Sequence, residues 1–187
     1  MVLKLPISLL TNLSIETGYV PKILKIAKVI PIYKNKNPEL YTNYRPISLL
    51  PSLSKIIEKV VHKRLYHFLN SQHILYDSQY GFRPKRSTIQ AITQLTAHIL
   101  DTLDNKQHSI CVFLDLSKAF DTINHATLLV KLHKYGVRGL ALEWFKSYLS
   151  NRKQFVKFNN IVSSESDVSC GVPQGSVLGP LLFILYT

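Results

Sequence analysis

The sequence predicts an α+β fold. After Pro51, apolar side chains recur at the spacing of one helical face over several turns. By contrast, the run SICVFLDL between Ser109 and Leu116 is β-branched and aromatic, and it is too brief for a typical helix. Further on, QFVKFNNIVSSESDV is typical of a β-hairpin that turns at two asparagines. These stretches predict a basic, helix-rich first half and a second half that bears strands.

The first half is predicted to begin with a basic edge strand. In Pro21 to Tyr33, basic and apolar residues alternate as far as Pro31, and proline is tolerated in edge strands. The helix after Pro51 has an apolar face that consists of Leu53, Ile56, Ile57, Val60, Val61, Leu65, Phe68 and Leu69. Its opposite face, which we interpret as solvated, carries Lys55, Lys59, Lys63 and Arg64.

A capping box predicts the start of the next helix. In STIQ, Ser87 and Gln90 stand at the spacing that lets each side chain bond to the other residue's backbone amide. The apolar stripe of this helix is formed by Ile89, Ile92, Leu95, Ile99 and Leu103.

The second half is predicted to open with a buried strand at Ser109 to Leu116, which places Asp115 near its exit. A helix follows in DTINHATLLVKLHKYG, and Gly136 suits its C-terminal cap. Its inward-facing residues are predicted to be Leu128, Leu129 and Leu132.

Three further elements complete the second half. We expect a helix over Leu140 to Leu149 and a hairpin turning at Asn159 and Asn160, because asparagine tolerates left-handed conformations. A loop from Cys170 to Ser176 then leads to a last helix.

Composition indicates a polyanionic partner. The 187 residues, 46% of them apolar, can bury a domain-sized core. Lysine and arginine outnumber aspartate and glutamate by 23 to 11, and residues 1 to 88 carry a net charge of +10. An excess concentrated in one half favours nucleic acid over a membrane, because no stretch shows a clean basic amphipathic period.

Cysteine use and hydropathy favour an intracellular protein of the nucleus or cytoplasm without a membrane partner. Cys111 and Cys170 are too few and too distant for a disulfide framework or a zinc site. The N-terminal MVLKLPISLL lacks a signal-peptide cleavage site. The terminal VLGPLLFILYT is about half the length of a bilayer span, so we interpret it as a buried element.

Asp115 calls for a partner, because an unpaired charge at the end of a buried strand costs several kcal/mol. One interpretation is an ion pair with Lys118 or a distant arginine, or a strand end that reaches water. The other is a magnesium ligand held on a rigid strand. The continuation LDLSKAFDTINH favours the second interpretation.

Four stretches resemble, in order, motifs of reverse transcriptases, particularly those of non-LTR retrotransposons of the LINE and jockey type. They are NYRPISLLPSLSKIIEKVVHKRL, QYGFRPKRSTIQAI, FLDLSKAFDTINHATLL and GVPQGSVLGPLLF. Group II intron proteins share the AFDTINH style, but their later loop usually continues differently. The family resemblance therefore favours the retrotransposon branch and leaves the intron type as an alternative.

The resemblance implies the fingers and part of the palm of a right-hand polymerase, with no thumb. Residues 1 to 187 would form one domain fragment, with about 1–108 mainly fingers and about 109–187 mainly palm. The Tyr-Ala-Asp-Asp motif that supplies the family's remaining metal-binding carboxylate is not found in the sequence. We therefore expect that this chain alone does not polymerise, and that palm and thumb segments of a longer polyprotein are its partners.

By resemblance, Asp115 binds two Mg²⁺ ions, for which Mn²⁺ could substitute, and the backbone carbonyl of Leu116 helps to hold one of them. Phe120 matches the aromatic residue that excludes a ribose 2′-hydroxyl, although by itself it could simply pack a strand–helix corner. Asp121 either caps the following helix or touches metal.

The remaining site residues are assigned by the same resemblance. Gln174 and Gly175 match the loop against the incoming nucleotide, although Pro-Gln-Gly is also a common turn. Arg45 is expected to bind the triphosphate, since an arginine fork matches phosphate geometry. Residues expected at the template or its phosphates, with solvated surface charge as the alternative for the last two, are Arg83, Lys85 and Arg86.

The expected partners are an RNA template, a DNA primer and deoxynucleoside triphosphates. A different class of function is a catalytically inactive remnant that binds nucleic acid through its basic half.

Overall fold

The computed structural model describes residues 3–35 and 37–187. The chain divides into two units. The first consists of Met1–His67 and Lys118–Thr187, and the second of Phe68–Ser117.

The first unit opens with helix α1 (Lys4–Thr17), which sequence reasoning did not predict. Pro6 lies in the first turn of this helix, where the missing backbone N–H has no helical acceptor. The helix ends at Gly18, whose φ of 65° is a left-handed conformation that favours glycine. A 3₁₀ turn at Lys22–Lys25 then leads into the sheet.

The sheet is mixed. Strand β1 (Ile26–Tyr33) pairs antiparallel with β2 (Tyr44–Leu49), and a 3₁₀ turn (Tyr41–Asn43) precedes the second strand. Strand β1 also pairs parallel with β3 (Arg152–Phe158). Strands β4 (Ile161–Val162) and β5 (Ser166–Val168) both pair antiparallel with β3. The order is β2-β1-β3-β4, with β5 also on β3.

The prediction that β1 is an edge strand was wrong, since it lies between β2 and β3. Proline is tolerated there because the pairing of β1 with β3 covers only Ile26–Val29. Pro31 lies beyond this ladder and faces Pro46 of β2. Its missing N–H therefore leaves no gap in the ladder to β3.

One face of the sheet forms part of the core. Ala27 and Val29 are 4% and 5% exposed, and the strand register places Ser48 and Arg152 on the same face. Because side chains alternate along a strand, Lys28 and Arg45 belong to the opposite, more exposed face.

Four further helices contribute buried side chains to the first unit. Helix α2 (Ser52–Ser71) follows Pro51 as predicted, and α5 (Leu140–Leu149) has the predicted bounds. Helix α4 (His125–Lys134) contacts both α5 and α6 (Gly179–Tyr186).

Leu128 and Leu132 of α4 are fully buried, as predicted, whereas Leu129 is only half-buried. The N-cap of α4 is Asn124, whose Oδ1 accepts from the Thr127 amide at 3.0 Å. The suggestion that Asp121 caps this helix was therefore wrong.

The predicted hairpin is confirmed. Strands β3 and β4 are joined at Asn159 and Asn160, and Asn159 has a φ of 52°. Asparagine suits this position because its side chain tolerates the left-handed region.

The second unit contains helix α3 (Thr88–Asp104) and the predicted capping box. The Ser87 Oγ accepts from the Gln90 amide at 3.3 Å, and the Gln90 Oε1 accepts from the Ser87 amide at 2.9 Å. The stripe of α3 remains partly open, with Ile89 74% exposed.

The predicted buried strand at Ser109 to Leu116 was wrong. This segment has no regular secondary structure, and Phe113 is 81% exposed. A β-strand needs a neighbour for its backbone donors and acceptors, and no strand pairs with this segment among the described residues. Apolar, β-branched composition reports a preference for burial but cannot supply that neighbour.

Within the described ranges, no helix is both long enough and apolar enough to cross a bilayer.

Candidate functional site

The loop from Gly171 to Ser176 is bonded at both ends to other elements of the first unit. The Gly171 amide donates to the Ile123 carbonyl at 2.8 Å, and the Val172 amide donates to the Phe120 carbonyl at 2.9 Å. Further along, the Gln174 carbonyl accepts from the Ser48 amide of β2 at 2.8 Å. The loop is thereby held between the segment that precedes α4 and the free edge of the sheet.

Two glycines make this close approach possible. Gly171 has a φ of 81°, and a Cβ there would lie 2.9 Å from the Phe120 carbonyl oxygen. Gly175 has a φ of 118°, and its Cβ would lie 2.8 Å from the Ser48 carbonyl oxygen. Both contacts are with backbone, which cannot turn aside, so each position favours glycine for conformation and for space.

The Gln174 side chain is oriented by Asp121. Its Nε2 donates to both carboxylate oxygens of Asp121, at 2.9 and 3.1 Å. Hydrogen bonds to a charged group are stronger than those between neutral groups. Since the donor end is engaged in this way, the amide oxygen of Gln174 is the end of the side chain available to accept from a ligand.

Phe120 packs against the last helix. Its ring is half-buried, and its centroid lies 5.1 Å from that of Phe183 in α6 at an interplanar angle of 39°. This contact agrees with the interpretation of Phe120 as a packing residue. A residue held in this way also has a defined position beside the Gly171–Ser176 loop, because its own carbonyl accepts from Val172.

Glu58 of α2 belongs to the same site, and sequence reasoning missed it. It is 1% exposed, and its Oε2 accepts from the amides of Val177 and Leu178 at 2.7 and 3.2 Å. The available signal was spacing, since Glu58 falls on the helical face that also holds Val61 and Leu65. A carboxylate within a buried stripe indicates a specific partner.

Tyr148 of α5 adjoins Glu58. Burial raises the pKa of the Tyr148 phenol well above its ordinary value, and the nearby charge of Glu58 raises it further. The folded chain therefore favours the neutral form of the Tyr148 phenol.

A cavity of about 410 Å³ separates the buried sheet face from the loop. Its walls include Val29, Ser48, Gln154, Asp121 and Gln174.

Two buried cations lie at the C-terminal end of α5. Arg152, which lines the cavity, donates from Nη1 to the Tyr148 carbonyl at 3.0 Å. The Lys25 Nζ donates to the Ser147 carbonyl at 3.0 Å. Burial lowers the pKa of Lys25, and the charges of Arg152 and Lys22 lower it further. Both cations complement the partial negative charge of the helix terminus.

Arg45 is in the same unit but on a different face. It stands opposite Ile32 in the β1–β2 register and is exposed, whereas its neighbours Pro46 and Ser48 line the cavity. The structure therefore does not bring Arg45 into the cavity beside Gln174.

The second unit holds Arg83, Lys85 and Arg86. The Arg83 Nη1 donates to the Tyr76 carbonyl at 2.7 Å, and Arg86 lies 5.5 Å from the centre of the Tyr80 ring. Arg86 also pairs with Asp77 at 3.7 Å. Lys85 is exposed. Both arginines thus stabilise the segment that precedes α3.

Asp115 and Leu116 lie in the exposed segment of the second unit. Asp115 forms no ion pair in residues 3–35 and 37–187. In those same ranges, no group of three or more His, Cys, Asp or Glu side chains is arranged to hold a metal ion. Asp115 and the Leu116 carbonyl therefore do not make a complete magnesium site by themselves.

Comparison with known proteins agrees with these features. The model of the family described as reverse transcriptase (RNA-dependent DNA polymerase) matches residues 32–187. This chain therefore belongs to the reverse transcriptase family.

The relatives are polymerases of mobile elements. The chain is 40% identical, over 97% of its length, to the probable RNA-directed DNA polymerase from transposon BS of Drosophila melanogaster. It is 36% identical, over 96% of its length, to the RNA-directed DNA polymerase from mobile element jockey of the same species. The chain spans 20% of the length of each. The resemblance to non-LTR retrotransposon polymerases is thereby confirmed.

Proposed function

We propose that this chain forms the nucleotide-receiving part of an RNA-directed DNA polymerase of a non-LTR retrotransposon. The observation that carries the proposal is the bond of Gln174 to Asp121 within a loop whose glycines approach the backbone of Phe120 and Ser48. This arrangement holds a hydrogen-bonding amide beside an aromatic residue. A deoxynucleotide matches both groups. Its base edge can bond to the amide of Gln174, and its sugar, which lacks a 2′-hydroxyl, can lie against the ring of Phe120.

The roles of individual residues follow from this proposal. Phe120 excludes a ribose 2′-hydroxyl, because its apolar ring offers the hydroxyl neither room nor a partner. Gln174 and Gly175 contact the nucleotide. Arg45 lies on the exposed face of the sheet. It binds the triphosphate when a nucleotide extends from the loop at Gln174 to that face. The RNA template with its DNA primer is held through Arg83, Lys85 and Arg86.

We propose Asp115 and the Leu116 carbonyl as two of the magnesium ligands. The described residues do not supply a complete donor set, so no step is assigned to the metal within this chain. When bound in the complete site, magnesium lowers the pKa of a primer hydroxyl and neutralises developing charge on the triphosphate. The division into fingers, about 1–108, and palm, about 109–187, belongs to the same proposal.

A chimera tests the proposal. The jockey polymerase, whose matching segment is 36% identical, would carry this chain in place of that segment. We expect primer extension on an RNA template, and loss of extension in Asp115→Ala. Asp104→Ala, which removes an exposed carboxylate at the end of α3, is the matched control and should retain activity. A folded chimera that extends equally well with Asp115→Ala would contradict the proposal.

A second candidate is a nucleic-acid-binding protein without polymerase activity. The observation that favours it is the net charge of +12 together with an exposed basic face on α2 at Lys59, Lys63 and Arg64. Such a protein would bind phosphates without selecting a nucleotide. The Asp115 experiment separates the two candidates, because this one requires no metal ligand.

A further inference from the structure

Glu58 is a carboxylate in the interior of the first unit. It is 1% exposed, and no lysine or arginine pairs with it in the part of the chain that the structure describes. Burying a carboxylate is unfavourable unless hydrogen bonds replace its hydration. Here the Ser54 hydroxyl donates to Oε1 at 3.1 Å, and two backbone amides donate to Oε2. The surroundings of Glu58 are therefore organised to hold the side chain in one position.

The two amides belong to the polypeptide that leads from the loop into α6. Val177 and Leu178 donate at 2.7 and 3.2 Å, immediately before the helix begins at Gly179. A negative charge is favourable near the N-terminal end of a helix. Glu58 supplies both the acceptor and the charge from a different helix, α2.

This anchor acts on the side of the loop that follows Gln174. Ser176 continues the connection, because its Oγ donates to the Pro173 carbonyl at 2.8 Å and accepts from the Gly179 amide at 3.1 Å. Pro173 and Gly179 are thus tied together across the turn, and Val177 and Leu178 between them are tied to Glu58. The position of the Gln174 backbone depends on this closed set of bonds.

We propose that Glu58 is a positioning residue for nucleotide binding: it fixes the loop so that Gln174 and Gly175 present to the nucleotide in one arrangement. This inference rests on the proposed role of the Gly171–Ser176 loop in receiving the nucleotide. Glu58 touches no substrate. Its loss weakens nucleotide binding and leaves Asp115, in the second unit, unchanged.

Hydrogen exchange on the full chain tests the anchor itself, without any activity. Glu58→Ala removes the acceptor, and the amides of Val177 and Leu178 should exchange about ten- to a hundredfold faster. Glu58→Gln is nearly isosteric and keeps one oxygen for the two amides, so their exchange rate should be intermediate. This variant also keeps the test valid if Glu58→Ala does not fold. Unchanged exchange at both amides in Glu58→Gln and Glu58→Ala would overturn the proposal.

Ser14→Ala is the matched control for a general loss of stability. Ser14 is also buried in the first unit, where its Oγ accepts from Trp144 Nε1 at 3.1 Å and donates to the Tyr19 carbonyl at 2.6 Å. None of these residues is in the loop. Ser14→Ala should lower the melting temperature without selective exchange at Val177 and Leu178. Acceleration at these two amides in Ser14→Ala equal to that in Glu58→Ala would show that they report global opening, which overturns the anchor.

Kinetics in the jockey chimera test what the anchor does. Glu58→Gln should raise the KM for deoxynucleotides about tenfold while kcat changes less, because loop disorder weakens binding before chemistry. Faster amide exchange with an unchanged KM would overturn the positioning role. A wild-type chimera without extension would contradict the proposed function instead, and the exchange experiment would still decide whether Glu58 holds the loop.

Discussion

The backbone of Gly175 lies against that of Ser48: a Cβ on Gly175 would approach the Ser48 carbonyl oxygen to 2.8 Å. The neighbouring Gln174 carbonyl accepts from the Ser48 amide at 2.8 Å, so two successive loop residues contact one residue of β2. The contact between the loop and β2 is therefore made by backbone atoms, so it tolerates little change in the loop residues.

Gly175→Ala is predicted to destabilise the first unit or to displace the loop. The variant combines a φ of 118° with the clash against Ser48, and we expect a loss of about 1–3 kcal/mol in the free energy of unfolding. Gly139→Ala is the control, since Gly139 has a φ of 57° but nothing within 4 Å of its Cβ. Denaturant melts of both variants should show the larger loss for Gly175→Ala. Equal losses would mean that the contact with Ser48 is unimportant.

Phe120→Val is predicted to admit ribonucleotides in the chimera. The smaller side chain leaves room for a 2′-hydroxyl, and removal of such a block changes selectivity by about 1–3 kcal/mol. Phe183→Leu removes the packing partner of Phe120 but not its ring, so it should lower stability with little change in sugar selectivity. The measurement is the ratio of kcat/KM for deoxy- and ribonucleotides. If Phe120→Val leaves that ratio unchanged, Phe120 is a packing residue.

The stability of the folded chain is predicted to fall above pH 10 because of Tyr148. The phenol has an ordinary pKa of 10.0, and the folded state raises the pKa of Tyr148 through burial and the charge of Glu58. Above pH 10 the unfolded state loses the proton while the folded state keeps it, so unfolding becomes more favourable as the pH rises. Tyr148→Phe should flatten this dependence in melts between pH 8 and about 11.

Tyr41→Phe serves as the control for the alkaline melts. Tyr41 is 86% exposed, so its replacement should leave the slope of stability against pH as in the wild type. A Tyr148→Phe variant that loses stability above pH 10 as steeply as the wild type would contradict the assignment to Tyr148.

Nucleic-acid binding by the chain is predicted to weaken steeply with salt. Lys59, Lys63 and Arg64 are exposed on α2, and cations that neutralise phosphates release counterions from the nucleic acid. Titration of an RNA–DNA duplex at two salt concentrations should give a smaller salt slope for Lys59→Gln/Lys63→Gln than for the wild type. Affinity that is independent of salt would exclude binding through phosphates.

The segment Ser109 to Leu116 is predicted to make the isolated chain poorly soluble. Val112, Phe113 and Leu114 are 78%, 81% and 88% exposed, and an exposed apolar segment invites association with another copy. Phe113→Ser/Leu114→Ser should increase the monomeric fraction in size-exclusion chromatography. A wild-type chain that is already monomeric and melts cooperatively would contradict this prediction.

Sequence patterns predicted the local structure of each element better than the pairing between distant elements. The capping box at Ser87 and the bounds of α5 depend on interactions within a few residues, and both were correct. The central position of β1 and the missing partner of Ser109 to Leu116 depend on distant pairing, which periodicity does not report. A contact such as Glu58 with Val177 is likewise invisible in the local pattern, although the burial of Glu58 could have been read from its spacing.

The candidate site was predicted to a similar extent. Gln174 and Gly175 were singled out, and the structure adds that Asp121 orients Gln174. Sequence proximity to α4 suggested Asp121 as a helix cap. Its actual partner, Gln174, lies more than fifty residues away and is not indicated by the local sequence. The metal, template and triphosphate roles stay predictions, since they depend on ligands as well as on this chain.

The central claim, that Gln174 receives the nucleotide, is tested most directly by the KM for deoxynucleotides of the chimera carrying Gln174→Met. Gln154→Met, which replaces the other glutamine that lines the cavity, is the control of equal chemistry. We predict that Gln174→Met raises KM about tenfold or more, as expected for the loss of a buried hydrogen bond to substrate, and that Gln154→Met does not. An unchanged KM in a folded Gln174→Met chimera would contradict the claim.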